Sequence, residues 1–535
     1  MIVSASRTDL IFLFFVETSR PLGTKVVDSC VKSGVPIARK FSTCGFGESM
    51  VSCKCIYVRR KRKDASEMLN IIFEYDNLRK WISICFAVVM LTVLLLTGLV
   101  GCSGDKERIV DPIPQAKVDL APTDELILEI PNYQYFYDKQ FVKAIDIFKK
   151  TYLNVNVIVN TVGDIDNTPN DQYQKQISNE LMAGSGPDIL ITEYFQDLYK
   201  TMDTGAFLNL SSVIEQDEEF HMEEYNEAVM NAGSYKDGCY FIPITYTLPI
   251  LISEQGALDA VGFDLSKDAD FVSFYHEIAE CLPKMQENPS FTRALLQSVS
   301  HTYVDTAGVR LVDYARKKIL PDEASFKAMC EAVKPYWAID IAEEWPERYS
   351  PFDIPSGSFL FTYEERPNTS VFFSWSRMTI MEQTPVLSAI HTMDGGLNAE
   401  VISGLAIRAG STNQLNAWNF IKIMLSEAVQ YGRPGGNETT GFPVNKAALL
   451  HELEEVKKED AKCAFIDGVW MCPAVPWEEK EPYLALHDAI TNTSFENWPI
   501  HVFFYECMSP YFEDKKSYDD CVAELKSKLT LYVSE

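Results

Sequence analysis

Metal-ligand spacing is missing from this 535-residue chain: it holds no Cys-x-x-Cys, and its seven histidines form no ligand pattern with its thirteen cysteines. A zinc centre built from cysteine and histidine is therefore not expected, and Cys53-x-Cys55 lacks a second ligand pair. Basic charge is also scarce. There are 48 Lys+Arg against 76 Asp+Glu, a formal net charge of −28, and such a surface repels phosphate backbones, which excludes nucleic acid as a partner. Hydrolase signals are absent as well: no Gly-x-Ser-x-Gly elbow occurs, and His276-Glu277-Ile278-Ala279-Glu280 lacks the second histidine of a zincin and reads as a helix face. Gly233 to Gly238 has phosphate-loop glycine spacing, but Cys239 and Tyr240 stand where Lys and Ser/Thr would reach phosphates. A turn before a strand is expected there. Asp164, Asp166 and Asn170 approach a calcium loop, yet Pro169 takes its glycine position and Lys175 its glutamate position. No cofactor is called for. Carboxylate pairs for glycoside cleavage carry no motif, because the deciding separation is spatial.

Only one hydrophobic run is long. Leu78 to Ser103 reads LRKWISICFAVVMLTVLLLTGLVGCS, with Arg79 and Lys80 as a positive flank, an uncharged core from Trp81 to Leu99, and Leu99-Val100-Gly101-Cys102 at its end. That order of charged flank, apolar core and small residues builds a secretory signal. The run resembles the bacterial lipoprotein signal, which implies lipid attached to Cys102 and removal of residues 68–101. A plain membrane-spanning helix is the alternative, since the run approaches the roughly 20 residues a span needs. Either way the chain after Cys102 is expected outside the cytoplasm. The polar stretch 102–123 reads as a tether, and lipid on Cys102 implies a membrane-anchored protein at the extracellular face.

Residues 1–67 show no packing pattern: LIFLFFV is too short to span a bilayer and Arg59 to Lys63 is a basic run with no amphipathic partner. They read as an extension ahead of a true start at Met68, with a cytoplasmic appendage as the alternative. Seven cysteines include and follow Cys239; oxidation is permitted outside the cell, and the local pairs Cys463–Cys472 and Cys507–Cys521 are the first candidates, with buried free thiols as the alternative.

From Glu125 the pattern is regular. Glu125 to Ile130 alternates as a strand, and Asp138 begins a helix with Phe141, Ile145 and Phe148 at helical spacing. Val155 to Val159 is a strand, Tyr173, Ile177 and Leu181 mark a second helix, and Gly184-Ser185-Gly186-Pro187 breaks it before the strand Asp188 to Ile191. Strand, helix, strand, helix, strand predicts a parallel sheet with helical crossovers. Further on, Ser411 with Gln414 predicts a capping box ahead of a stripe of Trp418, Ile421, Leu425 and Ala428. Ser517 caps a last helix whose Cys521, Leu525, Leu529 and Tyr532 face inward.

The order of Phe148-Lys149-Lys150, Gly163-Asp164, Leu181 to Ile189, Gly205 to Leu210, Gly238 to Pro243, Ser403 to Ile407, Ala417 to Ile421 and Gly441 to Lys446 resembles the extracellular solute-binding proteins of family one. The resemblance covers roughly residues 124–535. It implies an α/β fold of the two-lobed periplasmic-binding-protein type II (Venus flytrap) class, with an inter-lobe hinge. Lobe 1 is expected over about 124–245 and 405–433, and lobe 2 over about 248–402 and part of 441–535. Crossings are expected near Ile244 to Thr247, Ser403 to Ala406 and Arg433 to Gly441. By the same resemblance the protein captures a small-molecule solute, a carbohydrate or oligosaccharide, delivers it to ABC permease subunits, acts as a monomer and turns nothing over. An exported carbohydrate-active enzyme or a surface adhesin on the same scaffold is the alternative.

Ligands of open α/β sheets bind at the carboxyl ends of strands, and sugar faces pack on flat aromatic rings while hydroxyls need polar side chains. The candidate ligand-binding residues are therefore Asn132, Tyr133 and Tyr135 after the first strand, Glu193 and Tyr194 after the third, Tyr246 after Pro243, Trp375, and Asp394. Aromatic packing between lobes is the alternative role for each ring.

Overall fold

The computed structural model describes three strands within residues 1–112, and residues 113–534 apart from 132–137, 163–168, 288–292, 296–302, 322, 341–358, 364–374, 376–377, 380–381, 432–440, 456–463, 467–468, 472–474 and 476. The run 78–103 with Cys102, the start at Met68, and Cys463 and Cys472 lie outside the described residues. The chain forms two compact units, Met1–Glu107 and Arg108–Glu535. In the first, β1 (Leu10–Phe15), β2 (Ile37–Phe41) and β3 (Lys54–Arg59) make an antiparallel sheet with β3 central. The apolar LIFLFF segment is thus a strand, in register with β3 from Leu10 opposite Arg59 to Phe15 opposite Lys54.

The second unit opens with β4 (Glu125–Pro131), α1 (Asp138–Thr151), β5 (Asn156–Val162), α2 (Pro169–Met182), β6 (Ile189–Ile191) and α3 (Leu198–Asp203). β4 pairs in parallel with both β5 and β6, as the alternation of short apolar strands and amphipathic helices predicts. Leu126 and Leu128 are buried by the alternation, each worth roughly 1.5 to 3 kcal/mol. α1 covers one face, where Phe141 and Phe148 lie 6.1 and 5.9 Å from Phe420. α2 packs on β4 through the buried Tyr173 and Ile177, and the Tyr173 hydroxyl donates to the Glu129 carbonyl. Gly184 and Gly186 end α2 at φ +72° and +114°, values a β-carbon resists.

Two hairpins and two long connections follow. β7 (Ser234–Tyr235) and β8 (Gly238–Cys239) form the first hairpin, so the glycine-spaced stretch is a turn before a strand. β9 (Ile242–Thr247) belongs to the large sheet, and after Leu248 and Pro249 the chain enters β10 (Ile250–Glu254) in a second sheet. That half adds α4 (Phe271–Glu287), β11 (Arg293–Leu295), the hairpin β12 (Val312–Asp313) and β13 (Lys318–Ile319), α5 (Ala324–Asp340), β14 (Phe359–Tyr363) and β15 (Pro385–Ala389). Its sheet runs β11-β14-β10-β15. In α4 the buried Glu277 accepts from the Asp264 backbone N–H at 2.7 Å, which gives the His276–Glu280 stretch a structural task.

The return passes through β16 (Leu397–Ile407), an interior strand of the large sheet. Leu405 to Ile407 pair with β6, whereas Leu397 to Val401 pair with β20 (Ile490–Phe495), and β9 runs antiparallel along the other edge. The register shifts at Ser403, between those two partners, within the stretch where the second crossing is expected. The large sheet also takes β17 (Phe442–Pro443) beside β9, and β18 (Ala464–Ile466) pairs antiparallel with β19 (Val469–Met471) further along the chain. Gly441 precedes β17 at φ +86°, and a β-carbon there would meet the Tyr246 carbonyl oxygen at 2.5 Å. Most of the third crossing, 433–440, lies outside the described residues.

The later long helices include α6 (Gln414–Met424), α7 (Trp477–Asp488), α8 (Trp498–Phe512) and α9 (Tyr518–Ser534). Ser517 Oγ accepts from the Asp520 N–H at 3.2 Å as an N-cap, and Cys521, Leu525 and Leu529 are buried. Three expectations need correction. Ser411 does not cap α6: its hydroxyl donates to Asp188, and Asn413 at the cap position makes no side-chain cap bond. Trp418, Ile421 and Leu425 are buried but Ala428 is exposed, because α6 ends at Met424 and the short helix Glu427–Gln430 buries Val429 instead. Cys507 and Cys521 are free thiols on α8 and α9, buried at 1% and 0% exposure, and burial raises both above the ordinary thiol value. Among the described residues no helix is long and apolar enough to cross a membrane.

Candidate functional site

The parallel strands β4, β5 and β6 bring Pro131, Val162 and Ile191 to one edge of the large sheet. Asn132, Tyr133 and Tyr135 follow Pro131 and lie outside the described residues. After β6 the chain makes one tight turn, Thr192–Tyr194, in which Glu193 is half-buried and Tyr194 is 6% exposed. The Tyr194 ring meets Tyr173 edge-on at 4.8 Å, so it seals α2 against the strand end.

Tyr246 sits within β9 at 1% exposure. Its hydroxyl shares a 2.7 Å hydrogen bond with His487 Nδ1, and its ring packs against Phe442 and His487 at 5.7 and 5.8 Å. Burial raises the Tyr246 phenol far above its ordinary range and lowers His487 to about 3, so both are neutral at pH 7. Trp375 is 7% exposed, and its carbonyl accepts from Thr379 Oγ1 at 3.1 Å. Asp394 is exposed in the turn before β16, where it accepts from the Thr392 hydroxyl and from the Gly396 N–H. The Thr392 bond holds its carboxyl below the usual carboxylate range.

A cavity of about 250 Å³ opens elsewhere, among α3, the hairpins β7–β8 and β12–β13, and β20, and none of the described sequence-derived candidates lines it. Its wall is aromatic. Tyr199 of α3 stacks on Tyr314 at 4.6 Å and 18°, meets Phe495 at 4.8 Å and meets Tyr235 at 5.2 Å. Aromatic pairs of this kind add about 0.5 to 1.5 kcal/mol each beyond buried area. Two hairpins bring the rings together: β7–β8 turns on Lys236 at φ 51° and presents Tyr235, while β12–β13 turns on Lys317 at φ 50° and presents Tyr314.

Asp197 clamps the construction. One carboxylate oxygen accepts from the Lys200 N–H at 3.0 Å and starts α3, while the other accepts from the Tyr314 and Tyr532 hydroxyls at 2.9 and 2.7 Å. Asn497 Nδ2 donates to the Tyr314 hydroxyl at 2.8 Å. One carboxylate thereby ties α3, the β12–β13 hairpin and the C-terminal helix α9 around the cavity. Tyr199, Tyr235, Tyr314 and Phe495 carry no shared periodicity in the sequence. The only local signals were the turn at Lys236-Asp237-Gly238 and the alternation of β20.

No protein-family model and no curated protein matches the sequence. Solved structures do. The sugar-binding protein MalE from Xanthomonas citri superposes with a TM-score of 0.54 at 12% identity, over 77% of this chain and 97% of that one. A periplasmic oligogalacturonide-binding protein from Yersinia enterocolitica gives a TM-score of 0.54 at 15% identity, over 77% and 99%. The fold is that of the solute-binding proteins. A de novo designed cysteine esterase shares this solute-binding fold too, with a TM-score of 0.53 at 16% identity over 77% and 98%. The described thiols here are poor nucleophiles for such chemistry: burial raises Cys239, beside the cavity-lining hairpin, to about 12 and keeps it protonated.

Proposed function

We propose that this protein captures a carbohydrate or oligosaccharide outside the cell and hands it to the permease of an ABC importer, while lipid on Cys102 holds it at the membrane. The observation that supports this reading is the tyrosine-walled cavity carried by a solute-binding fold. A sugar presents C–H faces to rings such as Tyr199 and Tyr314, and closure of the halves around it is stabilised by contacts available only when they meet. Asn132, Tyr133 and Tyr135, which follow the first strand, are proposed to complete the polar contacts.

The test is thermal unfolding of the full chain with sugars, peptides and polyamines. A carbohydrate at 100 times its dissociation constant is expected to add about 2.7 kcal/mol and raise the unfolding temperature, whereas peptides and polyamines do not. Stabilisation by a peptide or polyamine alone would overturn the carbohydrate reading, and turnover of an oligosaccharide would favour an enzyme. The anchor is tested apart from the solute. Cells fed labelled fatty acid are expected to label the wild-type chain and leave Cys102→Ser unlabelled, and equal labelling of the two refutes the anchor.

A further inference from the structure

Acids outnumber bases 76 to 48 in this chain, yet the cavity reverses that balance: Lys236, Arg310 and Arg316 line it against Asp313 alone. Two of these cations are paired within the protein. Lys236 Nζ lies 2.6 Å from Asp203 Oδ1, and Arg316 Nη1 lies 2.8 Å from Asp313 Oδ2. Arg310 differs. It is exposed, and among the described residues it stands within ion-pair distance of no carboxylate. Its charge reaches the wall of the cavity: burial raises the Tyr199 phenol and the Arg310 guanidinium acts against that rise, while the same guanidinium favours ionised Asp313.

A guanidinium with unfilled donors beside stacked tyrosine rings suits a ligand with two features at once. The planar fork holds a carboxylate or phosphate through two parallel N–H···O bonds, and the rings accept the apolar face of a sugar. In a protein of strong negative charge, an anionic solute meets repulsion everywhere except where cations converge. We propose that the solute of this cavity is an acidic carbohydrate, carboxylated or phosphorylated, whose anionic group is held by Arg310. This rests on the carbohydrate reading above and narrows it.

The experiment is calorimetric titration of the full-length chain in detergent with oligogalacturonide, with its methyl ester, and with glucose 6-phosphate. The ester keeps the sugar rings and removes the charge. At least one of the two acidic ligands is expected to bind tenfold or more tighter than the ester, with affinity falling as salt rises; the tighter of the two separates a carboxylate from a phosphate. In Arg310→Gln the gap between that acidic ligand and the ester closes, and Arg310→Lys restores part of it. If the ester binds as tightly as both acids, or if Arg310→Gln preserves the gap, the charge assignment is overturned while carbohydrate binding stands. If no carbohydrate binds, charged or neutral, and a peptide or polyamine does, both readings fall.

Discussion

Replacing Asp188 with alanine is expected to cost about 3 to 5 kcal/mol of unfolding free energy. The residue is 1% exposed, and its carboxylate accepts from the Ile127 N–H at 2.7 Å, from Ser411 Oγ at 2.6 Å and from Asn413 Nδ2 at 3.0 Å. Arg408 Nη2 stands 4.0 Å away and its Nε donates to the Pro187 carbonyl. Truncation leaves these donors facing a void, and removing one partner from a buried charged network is costly because the others stay desolvated and unmatched. The site also joins β4, β6 and the entry to α6, so the loss falls on the centre of the large sheet. Asp188→Asn is expected to cost less than alanine: the amide oxygen still accepts, but its NH₂ group now faces other donors. Urea unfolding of the two variants checks the order. A loss under about 1 kcal/mol for alanine contradicts the hub.

Tyr246→Ala is expected to be comparably severe, at about 3 to 5 kcal/mol, since large buried aromatics leave cavities that the surroundings fill only partly. The ring is enclosed with Phe442 and His487 and presents 1% of its surface. Tyr246→Phe separates the hydroxyl from the ring. It keeps the packing but strips the neutral, fully enclosed His487 of its 2.7 Å partner, at roughly 1 to 3 kcal/mol. The affinity of the folded protein for its solute is expected to be unchanged in the phenylalanine variant. Calorimetric titration beside denaturant unfolding decides: weakened binding with intact stability would return Tyr246 to the solute.

The first half of the fold was legible because its signals are local. Alternation in Glu125 to Ile130, the helical spacing of Phe141, Ile145 and Phe148, and the glycines after Met182 each specify an element from a few neighbouring residues, and the structure has β4, α1 and the end of α2 there. That order of elements predicted the parallel sheet, and the family resemblance implied the two-lobed fold class. The ends of side-chain networks are not local. Ser411 resembles a helix cap in its own stretch, yet its hydroxyl donates to Asp188, 223 residues earlier, and among the described residues accepts only from the Asn413 N–H just before α6, because a buried carboxylate left without donors is costly. Cys507 and Cys521 lie close in sequence, but neighbouring helices set their thiols apart in an apolar interior.

The cavity shows the same limit most plainly. Tyr199, Tyr235, Tyr314 and Phe495 come from a helix, two hairpins and a strand spread over nearly three hundred residues, and each by itself is an ordinary aromatic. The sequence alone determined the first strands and helices and the acidic balance of the chain, since hydrophobic period and charge are read residue by residue. Tertiary structure alone decided which rings converge, which thiols stay free, and that Lys236 and Arg316 of the cavity wall are ion-paired with Asp203 and Asp313, because those outcomes depend on distances set by packing.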